Sequence, residues 1–275
     1  MPNGAALFVR EAARLGIDTI FTLVGDHLNE VLLAAGRGGI RILDMRHESG
    51  VTHAADAWAR IHRRPALSLV TGGPGHTNSL TGVATAQLAA SPLIAVSGSR
   101  STALAGRHGF QDIPQVAMAA PVTKWAAEPR EASEIPHFLA RAYGEANAGR
   151  RGAVHLTIPV NLFTADAAES SSSPAKPAAP AETDVSHADV GRAVEMLRQA
   201  ERPVVIAGSG VWWAGAEEAL RRFIERTSLP LYTITMGRGA VSDEHPLCMG
   251  FADPALNPAV RTAFHEADVV LVLVF

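Results

Sequence analysis

Segments in which apolar residues return at helical spacing alternate along this chain with short runs dense in β-branched and aliphatic residues. That alternation is the pattern of a parallel sheet wrapped by helices. Leu7, Phe8, Glu11 and Leu15 place apolar and polar residues on opposite faces of a helix over 4–15, which Gly16 ends. The pattern then predicts a strand over 19–23, a helix over 28–35, a strand over 40–44 and a helix over 49–62. A buried strand over 66–71, a helix over 77–89 and a strand over 93–97 continue the βα repeat.

A further strand is expected over 153–158, after which composition changes. Residues 165–181 hold the serine run Ser170 to Ser173 and the prolines Pro174, Pro177 and Pro180. Such a segment buries too little apolar area to offset its ordering entropy, so it reads as an exposed linker. A second βα series follows, with helices over 187–199, 215–226 and 257–266 and strands over 204–207, 231–235 and 269–275. The expected domains are 1–165, a flexible linker at 166–183, and 184–275. Because the chain stops inside an apolar run, where a parallel strand normally feeds a loop and another helix, the second domain is expected to be incomplete. The fold class is α/β throughout.

Composition narrows the function classes. With 275 residues, 47% hydrophobic content and a formal net charge of -3, the chain is ordinary globular material. Lys124 and Lys176 are the only lysines among 24 basic residues, and the arginines are scattered, so no nucleic-acid stripe is present. No run approaches the roughly 18 apolar residues of a membrane span, and Arg10, Glu11 and Arg14 interrupt any signal-peptide core. The single cysteine, Cys248, excludes an internal disulfide and reads as a small buried hydrophobe. Together these features predict a cytoplasmic protein.

Two stretches carry candidate chemistry. In the first, Glu48 follows a strand and opens an alanine-rich helix that runs to Arg60; by itself it is also the acid that a helix dipole favours in a first turn. In the second, a strand runs into Thr71-Gly72-Gly73-Pro74-Gly75-His76-Thr77-Asn78, whose glycines let backbone approach a flat ligand. Thr77 or Asn78 could equally cap the following helix. The turn reads G-x-G-x-x-N from Gly73 and G-x-G-x-x-W from Gly208, so both lack the third glycine of a dinucleotide fingerprint. Neither lysine follows a glycine, His47 to His53 does not fit H-E-x-x-H, and G-x-S-x-G is absent, which removes P-loop, zincin and nucleophile-elbow readings. What remains is a carboxylate and a glycine turn, expected at adjacent strand ends where open α/β sheets bind ligands.

The motifs then become specific jointly. R-H-E with the A-A-D-A-W-A-R helix, T-G-G-P-G-H-T-N-S-L-T-G-V-A-T-A and S-P-L-I-A-V-S-G closely resemble the pyrimidine-binding domain of thiamine-diphosphate-dependent enzymes of the acetolactate synthase type. Gly109 to Gln115 with Pro121 to Trp125 is similar to the family's F-Q-E/D...T-K segment, and Arg202 to Gly210 with Thr235 to Gly239 to its central domain. The resemblance implies a pyrimidine-binding domain with a parallel sheet flanked by helices, followed by a truncated Rossmann-like central domain. It departs from the family in His76, where many relatives carry a small residue, and in lacking the G-D-G...N segment for magnesium and diphosphate.

The resemblance implies that Glu48 is catalytic, hydrogen-bonding the N1' atom of the cofactor's aminopyrimidine so that the ring helps form the C2 carbanion. It places Thr71, Gly72, Gly73, Pro74, Gly75, Asn78 and Gln111 at the cofactor. His76 and His108 are weaker titratable candidates, and Lys124 reads as a surface lysine or a partner for a substrate carboxylate. No metal ligand is assigned here; Mg2+ would be held by the domain that has no counterpart, and FAD, held by the matching domain of acetolactate synthases, is not expected in an incomplete one. The implied activity is decarboxylation or carboligation of 2-keto acids by a homodimer or homotetramer. The alternatives are a 2-hydroxyacyl-CoA lyase or oxalyl-CoA decarboxylase type, and a non-catalytic fragment or partner subunit.

Overall fold

The computed structural model describes residues 1–104, 107, 109–167, 185–253, 255 and 257–274, with the side chain of residue 235 left aside. The chain divides into two compact units, Met1–Ala181 and Glu182–Phe275. The expected linker falls almost wholly outside the described residues, as does His108.

In the first unit, α1 (Gly4–Arg14), β1 (Thr19–Thr22), α2 (Asn29–Arg37), β2 (Arg41–Asp44), α3 (Glu48–His62), β3 (Ala66–Val70) and α4 (Pro74–Leu88) follow one another. Then come β4 (Leu93–Ser99), α5 (Gln115–Ala119), β5 (Ala126–Ala127), α6 (Ile135–Asn147), β6 (Val154–Pro159) and α7 (Val160–Thr164). The strands form one parallel six-stranded sheet in the order β2-β1-β3-β4-β6-β5. Its two faces bury separate clusters, as the two-residue period of a strand requires. Ile20, Leu67, Leu69, Ile94 and Val96 pack with α1, α2 and α6. Phe21, Ala66, Val70, Leu93 and Ala95 pack instead with Val51, Ala55 and Ala59 of α3 and Val83 and Ala86 of α4.

Several expectations change here. Glu11 is buried rather than on a solvent face, and it tolerates burial because Arg14 Nε donates to its Oε2 at 2.7 Å. The helix expected from residue 77 begins at Pro74, since proline preorganises a first helical position and has no amide to satisfy there. The short α5, β5 and α7, whose apolar periods are brief, were not among the predicted elements, nor was the 13-residue α6.

The second unit holds α8 (His187–Gln199), β7 (Pro203–Ala207), α9 (Ser209–Ala214), α10 (Glu217–Thr227), β8 (Leu231–Thr233), β9 (Cys248–Phe251), α11 (Pro258–Glu266) and β10 (Val269–Leu273). Its strands form a parallel sheet in the order β10-β7-β8-β9. The helix expected over 215–226 is α10, and α9, which was not expected, precedes it and is closed by Gly215 in a left-handed conformation (φ 64°).

Candidate functional site

The carboxyl ends of the first unit's strands gather Glu48, the Thr71 to Gly75 turn and Asn78, with Gln111 packed against Gly73. Glu48 is the first residue of α3, with extended His47 before it accepting the Ser49 amide on Nδ1 at 3.2 Å. The expectation that its strand and the glycine turn's strand are neighbours is incorrect: β1 lies between β2 and β3. The carboxylate reaches the turn through the helices instead. A Cβ on Gly82 of α4 would lie 2.1 Å from Thr52 Oγ1 of α3, so the two helices touch backbone to side chain at a position where only glycine fits. Thr52 Oγ1 donates across that contact to the Ser79 carbonyl at 3.1 Å.

This packing brings Asn78 and Glu48 together, Asn78 Nδ2 donating to Glu48 Oε2 at 3.0 Å. Glu48 Oε1 has no hydrogen-bond partner among the described residues and lies 3.3 Å from where a Cβ on Gly75 would stand. The same Cβ would come within 2.8 Å of Thr71 Cγ2, so Gly75 keeps open a cleft between a threonine and a carboxylate. Gly73 has φ 63° and ψ -118°, a conformation closed to L side chains, and its amide donates to Gln115 Oε1 at 2.9 Å. Gln111, itself at φ 63°, packs its Cα and Cβ against Gly73. Pro74 and Asn78 are exposed, while Gly72, Gly73 and Gly75 are buried.

Two residues that sequence reading passed over belong to this cluster. His27, just beyond β1, has Nδ1 3.1 Å from the Gly72 amide and 3.1 Å from Thr71 Oγ1. Gln115 is buried and donates through Nε2 to the Gly98 carbonyl at 3.1 Å as well as accepting from Gly73. The rule that ligands sit beyond carboxyl strand ends flags a histidine after β1; for Gln115 the local signal is its place at the end of the Gly109 to Gln115 segment.

The weaker candidates fare differently. His76 is buried beneath the turn, its Nδ1 2.9 Å from Ser97 Oγ and its ring 4.7 Å from that of His155. Burial pushes His76 down to about 4 and His155 to about 3, so both are neutral packing groups. Lys124 is half-buried rather than free on the surface: its Nζ donates to the carbonyls of Glu145 and Ala148, both at 2.6 Å, and anchors the carboxyl end of α6. Among the described residues, no group of three or more His, Cys, Asp or Glu could hold a metal ion. No described helix is long and apolar enough to cross a membrane.

An open carboxylate oxygen above a glycine cradle suits a flat ring whose nitrogen shares a proton with it. Comparisons with known proteins identify the family. The family model "Thiamine pyrophosphate enzyme, N-terminal TPP binding domain" matches residues 2–118, and "Thiamine pyrophosphate enzyme, central domain" matches 190–274. The chain is 34% identical over 275 residues to the acetolactate synthase large subunit of Mycobacterium tuberculosis, covering 98% of this chain and 48% of that protein. It is 32% identical over 275 residues to a probable acetolactate synthase large subunit of Methanocaldococcus jannaschii, covering 98% and 46%. It is also 32% identical over 274 residues to mouse 2-hydroxyacyl-CoA lyase 1, covering 98% and 45%. The chain spans about half the length of the curated relatives it matches.

Proposed function

Since the chain belongs to the family of thiamine pyrophosphate enzymes, we propose that it supplies the cofactor-activating half of an active site working on 2-keto acids, by decarboxylation and carboligation in the manner of an acetolactate synthase. The observation that carries this reading is Glu48, with Oε2 held by Asn78 and Oε1 left open over Gly75. When bound, thiamine diphosphate supplies a carbanion that adds to a carbonyl carbon. Glu48 would share a proton with the aminopyrimidine N1' atom, with Asn78 fixing the carboxylate's rotamer so that Oε1 stays directed into the cleft. Gly72, Gly73 and Gly75 would let the ring approach the backbone, and Thr71, Pro74 and Gln111 would line the same turn.

The diphosphate would be held with Mg2+ by residues outside those described, in a homodimer or homotetramer acting in the cytoplasm. A 2-hydroxyacyl-CoA lyase reading is favoured next, because the identity to the mouse lyase equals that to the Methanocaldococcus synthase. Turnover of pyruvate against a 2-hydroxyacyl-CoA by the full-length enzyme, for wild type and Glu48→Gln, tests the proposal. Loss of turnover in the variant on one of these substrates supports it, and undiminished turnover refutes the role of Glu48.

A further inference from the structure

We infer that His27 is the substrate-side hydrogen-bond donor of this site, offering its Nε2–H to the carbonyl oxygen of a 2-keto acid; the inference rests on the thiamine-enzyme reading above.

The ring occupies space that two glycines vacate. A Cβ on Gly98, at the end of β4, would lie 2.4 Å from His27 Cβ, and one on Gly72, beyond β3, would lie 3.1 Å from His27 Nδ1. Backbone from two further strand ends thus makes room for one imidazole that follows β1, the strand at the middle of the β2-β1-β3 arrangement. Its tautomer follows from its partners. The Gly72 amide, 3.1 Å from Nδ1, can only donate, so Nδ1 accepts and the ring proton resides on Nε2. Burial holds His27 below the ordinary histidine range, with Asp26 opposing, so the ring stays neutral at neutral pH.

Nε2 has no protein partner among the described residues, and the ring is half-buried. The position of Thr71 ties this donor to the carboxylate. Its Oγ1 lies 3.1 Å from His27 Nδ1, and its methyl flanks the space above Gly75 that Glu48 Oε1 borders on the other side. Carboxylate and imidazole therefore flank one threonine. As a nucleophile adds to a carbonyl carbon, negative charge gathers on the oxygen, and a donor already oriented and unable to drift stabilises that charge without reorganisation. The purely structural alternative is that His27 only staples the loop after β1 to the glycine turn.

Two substitutions separate these roles in the full-length enzyme loaded with thiamine diphosphate and magnesium. In His27→Asn, Oδ1 takes the place of Nδ1 and still accepts the Gly72 amide, but nothing reaches the Nε2 position. In His27→Gln, an amide N–H reaches that position. With pyruvate as probe, His27→Asn should bind thiamine diphosphate with the wild-type Kd by calorimetry while kcat/KM falls roughly 100- to 1,000-fold, and His27→Gln should regain part of the loss. A kcat/KM for His27→Asn within about threefold of wild type, with Glu48→Gln inactive, overturns the inference and leaves the staple. A fully active Glu48→Gln overturns the thiamine reading and this inference with it. Should His27→Asn fail to fold, 15N-histidine NMR of the full-length wild-type enzyme loaded with thiamine diphosphate and magnesium decides: a shift of the His27 Nε2 resonance when pyruvate is added supports the donor, and an unchanged resonance refutes it.

Discussion

Asn78 Nδ2 donates to Glu48 Oε2 at 3.0 Å across the contact between two helices that begin at non-neighbouring strands. The bond occupies one carboxylate oxygen and leaves the other facing the Gly75 cleft. Side chain and cleft are set by one packing event, the close approach of α3 and α4 at Gly82 and Thr52.

Glu48→Gln preserves size and the contact with Asn78 while removing the shared proton. In the full-length enzyme it should leave circular dichroism unchanged and reduce kcat by about 100- to 10,000-fold. Turnover near the wild-type value would remove Glu48 from the mechanism.

Glycines 73 and 75 should respond differently to alanine. At Gly73, φ 63° and a 2.9 Å approach to Gln111 Cα make Gly73→Ala strained, at about 1–3 kcal/mol, seen as a lower Tm. Gly75 lies in the first turn of α4 without a positive φ, so Gly75→Ala should stay folded with a smaller loss of Tm, its Cβ displacing the Thr71 methyl that would lie 2.8 Å away. Its Cβ would nonetheless fill the space 3.3 Å from Glu48 Oε1, weakening thiamine diphosphate binding by calorimetry. Equal Tm losses with unchanged binding would contradict this division.

The buried imidazole pair predicts acid sensitivity. His76 and His155, at about 4 and 3 when folded against 6.5 in an unfolded chain, take up more protons unfolded than folded between those values. Stability is therefore undiminished above the ordinary histidine range and declines as pH falls from 6.5 toward 4. Thermal melts over that window should show a shallower decline in His155→Gln than in wild type; identical pH slopes would exclude the pair as the cause.

We also expect limited proteolysis of the chain to cut first within 165–181, where serine and proline composition disfavours packing, and to release an amino-terminal fragment that stays folded. Initial cuts within 66–97 would place the domain boundary elsewhere.

Elements with long apolar periods were legible in the sequence: α1, α3, β3 and β4 lie within a few residues of their predicted bounds. The glycine turn was legible too, because the conformation at Gly73 is available to few other residues and leaves its mark on local composition. Glu48 and Gly75 could each be named as chemistry-bearing from their own neighbours in the chain. Their meeting could not, since it depends on β1 inserting between β2 and β3 and on helix packing at Gly82, both of which are long-range. The same reason hides the contacts of His27 and Gln115, whose partners Gly72, Gly73 and Gly98 lie between 17 and 45 residues away in sequence. It also reverses the reading of Lys124 and Glu11, because burial and a partner's reach are properties of the folded surface. Local backbone preference and hydrophobic period act over a few residues and so are written in the sequence; which polar atoms face one another is decided only when distant strand ends are brought to one edge of the sheet.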